Sequence, residues 1–297
     1  MSITKTAVIT IAGRPNVGKS TLANYIAGEK IAIVSNKPQT TRNRIYAICQ
    51  REDTQLVFLD TPGYHKPKTA LDKYMVKVVE DSVSDGMDAI LLLVEPIAHL
   101  GPQEQALVDM ARAAKTPAVL AINKCDTVKK PELLAVMDIY AKEAGFEQIV
   151  PISAKTGEGV EELLGLLKGY AAEGPQLFPD DMVTDQPDRQ IVAEIVREKL
   201  LYCLEHEIPH GAAVEVTKFS ERDSGVIDLD VTIYCEKTSH KRIIIGKNGE
   251  MLKRIGELAR KDVEKYMGTK VFLQSWVKVK ENWRDSGAML RNFGYHD

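Results

Sequence analysis

Residues 7–28 read AVITIAGRPNVGKSTLANYIAG. An apolar, β-branched run leads into Gly13, and a second glycine, a lysine and a serine follow just before a helix-forming stretch. Gly13 to Ser20 fit G-x-x-x-x-G-K-S. Backbone amides of such a loop and of the helical turn after it converge on an anion, and the helix dipole favours the same charge. Lys19 can reach the terminal phosphates of a nucleotide, and the Ser20 hydroxyl can ligate Mg²⁺. Strand, phosphate loop and helix in that order open an α/β unit.

Working outward, the alternation continues to about residue 172. RIYAICQ (44–50), QLVFLD (55–60), DAILLLVE (88–95), PAVLAINK (117–124) and QIVPIS (148–153) read as strands. Several are apolar at consecutive positions, as strands covered on both faces are. Helical candidates lie between them at 19–28, 70–84, 103–114, 131–143 and 158–170. The expectation is an α/β layered domain with a mostly parallel sheet over residues 1–172. Gly174, Pro175, Pro179 and Pro187 then interrupt any regular pattern, so 173–188 reads as a linker. From 189 to 297 the grammar is that of a small α+β domain. A helix from Gln190 to about His206 precedes strands AAVEVTKFSE and VIDLDVTIYCE, a GKNG turn, an amphipathic helix from Glu250 to Met267 and a last strand KVFLQSWVKVK.

The 297 residues are 27% charged and 44% apolar with net charge −3, an ordinary globular composition of about two domains. Four dispersed cysteines without a C-x-x-C pair argue against disulfides or zinc and for free thiols in a reducing cytosol. No apolar run reaches the roughly 18 residues of a membrane span, and the N-terminus lacks the layout of a signal peptide. The six scattered histidines do not suggest a metalloenzyme.

Three further stretches each follow a strand. In FLDTPG (58–63), Asp60 would hold Mg²⁺ through water and the Gly63 amide would meet a γ-phosphate. In INKCD (122–126), the Asp126 carboxylate can accept two N–H groups from N1 and N2 of guanine, a donor pair adenine lacks, so the base is guanine. Asn123 would steady the loop and base edge, with the Lys124 stem along the ring. In ISAK (152–155), the backbone at Ser153 and Ala154 would address guanine O6. The expected GTP-binding set is Gly13, Arg14, Pro15, Asn16, Val17, Gly18, Lys19, Ser20, Thr21, Asp60, Thr61, Pro62, Gly63, Asn123, Lys124, Asp126, Ser153, Ala154 and Lys155.

In this order the four stretches resemble the G1, G3, G4 and G5 motifs of translation-factor-class GTPases, over residues 5 to about 172. PQTTRNR (38–44) then falls where the first switch loop belongs. The resemblance implies Thr41 as the Mg²⁺ ligand that senses the γ-phosphate, beside Ser20 and Asp60; spacing alone leaves Thr40 as the alternative. Ras-like enzymes place a glutamine after DxxG to orient water. Here that position is Tyr64, so slow intrinsic turnover is expected, and neighbouring His65 reads as an exposed switch residue. In related GTPases of this kind an asparagine at the position of Asn16 helps bind K⁺ beside the phosphates, where the cation takes the place of an arginine finger. Asn16, Lys19, Thr41 and Gly63 are the expected catalytic group.

The stretch HKRIIIGKNGEMLKRIGELARKDVEKYMG (240–268) carries an apolar stripe of Leu252, Ile255, Ala259 and Val263 at helical spacing. Lys253, Arg254, Arg260, Lys261 and Lys265 lie largely off it. From Lys237 to Lys280 there are 12 Lys or Arg against 4 Asp or Glu, a local basic surface hidden in the net charge. IIIGKNGEMLKRI resembles the KH signature, whose GxxG turn joins two helices and clamps about four single-stranded nucleotides. On that resemblance Ser239 to Ile245 is a short helix, the element order is type II, and Ile245, Gly246, Lys247, Asn248, Gly249, Lys253 and Arg254 hold RNA, its bases in an apolar groove between helix and edge strand.

A GTPase domain followed by a type II KH domain resembles the Era family of bacterial ribosome-assembly GTPases across nearly the whole chain. The resemblance implies a monomeric switch that binds GTP or GDP and, near its 3′ end, small-subunit rRNA during maturation of the small ribosomal subunit, with no role for DNA. The expected cofactors are Mg²⁺ and K⁺. The expected compartment is the cytoplasm, with a second pool held peripherally at the inner membrane. Two rivals carry less: a signalling GTPase whose C-terminal domain binds a protein, and a tRNA-modifying GTPase, which calls for an added catalytic domain or cysteine nucleophile.

Overall fold

A computed structural model describes residues 3–295 except 143, 206, 207 and 209. The helix ends read at Glu143 and His206 lie outside the described residues, as do the chain ends. The chain divides into two compact units. The first comprises the chain up to Ala32, Pro38–Pro67 and Met75–Asp185; the second comprises Ile33–Lys37, Lys68–Tyr74 and the chain from Gln186 onward.

In the first unit, β1 (Lys5–Ala12), α1 (Lys19–Ala27), β2 (Ile45–Arg51), β3 (Thr54–Asp60), the body of α2 (Ala70–Ser84), β4 (Ala89–Val94), α3 (Pro102–Ala114), β5 (Ala118–Ile122), α4 (Lys130–Lys142), β6 (Ile149–Pro151), α5 (Val160–Lys168) and β7 (Ala172–Glu173) follow in order. The sheet order is β2-β3-β1-β4-β5-β6, with β7 pairing antiparallel to β1. Every pairing from β3 to β6 is parallel, and β2 joins β3 antiparallel. β3 and β4 are buried at every position, which explains their unbroken apolar runs. Ile9, Ile11 and Phe58 pack with Leu22 of α1 and Leu163 of α5 on one face; Ile90, Leu92 and Ile122 pack with Leu107 of α3 and Tyr140 of α4 on the other. Each such fully buried side chain contributes about 1.5–3 kcal/mol. Because the strands are parallel, the loops after β1, β3, β4, β5 and β6 all emerge at one edge, where open α/β sheets bind ligands.

The segment read as a linker is partly docked. The Gln55 amide reaches from β3 to it, its Oε1 accepting from Leu177 and Phe178 N–H at 2.9 and 3.0 Å and its Nε2 donating to Phe178 O at 2.8 Å. Phe178 packs its ring on Tyr46, centroids 5.8 Å apart, and Ile48 N–H donates to Val183 O. The prolines prevent a strand there, but side-chain amides satisfy the backbone instead.

The second unit contains α6 (Asp188–Cys203), β8 (Ala213–Glu221), β9 (Ile227–Cys235), α7 (Thr238–Ile245), α8 (Glu250–Met267), β10 (Val271–Val279) and α9 (Gly287–Asn292). Its sheet runs β10-β9-β8, with β10 parallel and β8 antiparallel to β9. Ile191, Val192 and Ile195 of α6 and Ile255, Ala259 and Val263 of α8 close over Leu229, Val231 and Ile233 of β9. Thr238–Ile245 is helical despite its β-branched run. The reading above missed α9. Ser286 caps it by accepting from Met289 N–H, while buried Trp283 donates to Gly211 O at 2.9 Å and meets Phe293 edge-on.

Two stretches earlier in the chain also belong to this unit. Val34 N–H donates to Glu198 Oε1 at 3.2 Å, and Lys37 Nζ donates to Leu204 O. Ala70 N–H donates to Asp285 Oδ1 at 2.8 Å, and the Tyr74 ring lies against Tyr295. No helix among the described residues is long and apolar enough to cross a membrane.

Candidate functional site

The phosphate loop leaves β1 at Gly13 and enters α1 at Lys19. Lys19 is nearly buried, and its ammonium donates to Gly13 O and Arg14 O, both at 3.0 Å. Burial pushes its pKa down to about 8, against the opposing pull of Asp60. Asp60, fully buried at the end of β3, is pushed up to about 6 by burial, which the Lys19 charge and a hydrogen bond from Ser20 partly offset. Ser20 Oγ donates to Asp60 Oδ2 at 2.7 Å, so the Thr41 hydroxyl, also 2.7 Å away, donates to Ser20. Asp60 Oδ1 has no hydrogen-bond partner. Two hydroxyls and one carboxylate with a free lone-pair edge form the hard oxygen set that suits Mg²⁺. Among the described residues no group of three His, Cys, Asp or Glu could hold a metal, so a Mg²⁺ here depends on those hydroxyls.

The loop after β3 lies directly on the phosphate loop. Thr61 Oγ1 donates to Ile11 O at 2.8 Å and Tyr64 N–H to Gly13 O at 3.1 Å. A Cβ on Gly63 would stand 2.6 Å from Pro15 N and Cα, so glycine is required by close approach. Tyr64 packs against the core beside α3, and His65 Nδ1 donates to Gly63 O at 2.8 Å. His65 is half-buried rather than exposed.

After β5, buried Asn123 joins three loops: its Nδ2 donates to Val17 O at 2.7 Å and its Oδ1 accepts from Ala154 N–H at 2.8 Å. Lys124 Nζ donates to Asn16 O at 2.8 Å and to Glu95. Asp126 is exposed and open to a ligand. The two amides read as partners of guanine O6 are engaged: Ser153 N–H donates to Glu158 O at 2.9 Å and Ala154 N–H to Asn123. Lys155, after β6, is exposed, and Thr21, in the first turn of α1, is half-buried.

In the second unit the GKNG turn joins α7 to α8. Gly246 has φ 74°, and a Cβ there would meet Met251 Cβ at 2.7 Å, so no larger residue fits the turn. Lys247 and Asn248 are exposed on it, and Ile245 is half-buried. Beside it lies a groove of about 470 Å³ lined by Leu252, Lys253, Gly256, Glu257 and Arg260 of α8 and by Leu273 and Ser275 of edge strand β10. Its walls are part polar rather than apolar throughout. Among the described residues Lys247, Lys253, Arg254, Arg260, Lys261 and Lys265 have no acidic partner within ion-pair distance, although cations elsewhere are bound to acids, such as Arg51 to Glu161 and Lys199 to Asp262.

Comparison with known proteins agrees with both halves. The family model described as 50S ribosome-binding GTPase matches residues 8–124, and that of the KH domain matches 207–284. Over 291 residues the chain is 50% identical to GTPase Era of Ruminiclostridium cellulolyticum, covering 98% of this chain and 97% of that protein. Over 295 residues it is 49% identical to GTPase Era of Clostridioides difficile, covering 99% of each. A crystal structure of Era in complex with MgGDPNP and nucleotides 1506–1542 of 16S ribosomal RNA superposes with TM-score 0.94 at 36% identity, covering 99% of this chain and 100% of the other. Fold and site together define a P-loop GTPase with a C-terminal KH domain. Within that class the chain belongs to the Era family of GTPases.

Proposed function

We propose that this GTPase is a nucleotide-controlled clamp on single-stranded rRNA near the 3′ end of the small-subunit rRNA, and that it acts in maturation of the small ribosomal subunit. The observation that carries the RNA reading is the set of unpaired cations around the exposed GKNG turn. Uncompensated Lys and Arg attract a polyanion, and the turn lets a phosphate backbone approach. The relative solved with 16S rRNA supports the same partner. The comparisons give the protein-binding alternative no such support.

At the other site, Ser20 and Thr41 would ligate Mg²⁺ directly and Asp60 through water. The metal supplies charge stabilisation to the phosphates. Lys19 would leave the Gly13 and Arg14 carbonyls for the β- and γ-phosphates, and the Gly63 amide would meet the γ-phosphate. The Asp126 carboxylate selects guanine. Guanine O6 would draw the Ala154 amide from Asn123. Tyr64 carries no amide to orient water and packs half-buried against the core, which supports slow intrinsic turnover. Asn16 would help hold K⁺ there; a hydrolysis rate unchanged when Na⁺ replaces K⁺ rejects that role.

The switch acts through the backbone. GTP would order Thr41 and the segment after Gly63. Their chain neighbours 33–37 and 68–74 are part of the RNA-binding unit, tied to Glu198, Leu204 and Asp285. A change at the γ-phosphate therefore reaches that unit along covalent chain. The protein would work as a cytoplasmic monomer, with a peripheral pool at the inner membrane. Crosslinking in cells followed by sequencing of bound RNA tests the assignment: enrichment of the 3′ end of small-subunit rRNA is expected, and its absence overturns the target.

A further inference from the structure

Two acids outside every nucleotide-binding motif clasp two motif cations. Glu95, just past the end of β4, places Oε1 2.5 Å from Lys124 Nζ and Oε2 3.5 Å from Arg14 Nη2. Glu104, in the first turn of α3, places Oε1 2.5 Å from Arg14 Nε. Lys124 Nζ also donates to Asn16 O at 2.8 Å. The contacts close a ring: Arg14 to Glu95, Glu95 to Lys124, Lys124 to the Asn16 carbonyl, and back through Pro15 to Arg14. One side of the ring is the phosphate loop and the other is the loop that carries Asp126.

The pieces differ in exposure in a way that assigns their parts. Glu104 is almost wholly buried, with 8% of its side chain exposed, whereas Arg14 and Glu95 are 30% and 24% exposed. A buried carboxylate requires a partner, and its removal leaves an uncompensated charge. The helix N-terminus adds to the stabilisation of that anion. A cavity of about 70 Å³, lined in part by Arg14, Glu95, Glu104, His99 and Tyr140, borders the cluster, and Glu104 Oε2 has no hydrogen-bond partner. Glu104 thus anchors Arg14, and Arg14 with Lys124 orients Glu95 between them. Charged side chains held on both sides are pre-organised, so ligand binding orders less of the site.

We infer that Glu95 is a positioning residue that locks the guanine-reading loop to the phosphate loop through Lys124 and Arg14, with Glu104 as its buried anchor. The inference rests on the reading that these two loops hold the base and phosphates of GTP. Glu95 lies outside the nucleotide-binding motifs and acts through Lys124 and Arg14. Its effect is on how long the nucleotide stays and not on the reacting atoms.

The test uses the full-length protein and a fluorescent GDP. Glu95→Gln is expected to speed GDP release about 10-fold and to raise KM for GTP more than it lowers kcat. Arg14→Lys keeps the charge but cannot fork between two acids, so it should release GDP faster as well. The double variant should be no faster than the more severe single one, because both break the same ring. Melting midpoints separate a positioning effect from unfolding, and Arg14→Lys serves if Glu95→Gln does not fold. Unchanged release in both single variants, effects that multiply in the double variant, or a loss confined to kcat each overturn the inference. Failure of the nucleotide-site reading itself looks different: Asp126→Asn would then leave GDP binding intact.

Discussion

Ser20 Oγ donates to Asp60 Oδ2 at 2.7 Å, and Oδ1 of that same fully buried carboxylate has no hydrogen-bond partner. On the proposed reading the pair is half of a metal site: one oxygen is held in place, the other open. Asp60→Asn keeps the shape and removes the charge. Mg²⁺-dependent phosphate release should fall at least ~100-fold, the scale of losing one preorganised electrostatic partner. The melting midpoint in EDTA should fall, because buried Lys19 loses the opposing charge of Asp60, so turnover is compared on protein shown to be folded. Retained turnover in a phosphate-release assay would remove Asp60 from the metal site.

On the proposed reading base choice is carried by Asp126, which is exposed. Hydrogen bonds to a charged acceptor contribute about 1.5–3 kcal/mol each, so losing one and setting a donor against the 2-amino group should weaken GDP by more than ~10-fold. Asp126→Asn exchanges one acceptor for a donor. Xanthine carries a carbonyl where guanine carries its 2-amino group, so the variant should gain affinity for xanthosine diphosphate. Calorimetry with both nucleotides decides it. Equal loss for both would point to a collapsed loop instead of a changed code.

The turn variants Lys247→Asp and Asn248→Asp place carboxylates where a phosphate backbone would pass. Filter binding to single-stranded RNA should weaken by at least ~10-fold. With Lys247→Asp the slope of log affinity on log salt should fall by about 1, as one phosphate contact is lost. GDP affinity should stay as in the parent. RNA binding that survives both changes would leave the protein-binding alternative ahead.

Much of this was legible in the chain. The strands β4 and β5 are apolar throughout and β3 carries the unbroken run LVFL, as strands buried on both faces do, and periodicity gave the limits of α8. The phosphate loop and the guanine-reading loop are short local motifs, so the chain order alone exposes them. Long-range pairings are less visible. Nothing near Gln55 announces that its amide will dock Leu177 and Phe178, more than a hundred residues away, so that stretch reads as a bare linker. Helix α9 is six residues long and depends on Trp283 and Phe293 packing, not on its own propensity. Glu95 and Glu104 belong to no motif; only the fold brings them to Arg14. Spacing could not separate Thr40 from Thr41; the Thr41 hydroxyl lies 2.7 Å from Ser20 Oγ, and the proposal of Thr41 rests on that contact.

The central claim is that the nucleotide governs RNA affinity through residues 33–37 and 68–74, which belong to the RNA-binding unit. Its most direct test is the affinity of the full-length protein for one single-stranded rRNA fragment, measured with GDP and with a non-hydrolysable GTP analogue at fixed salt. The account predicts at least ~5-fold tighter binding with the analogue, at the low end of ordinary coupling, and a smaller ratio in Glu198→Ala, which frees Val34. The same affinity in both nucleotide states would contradict it.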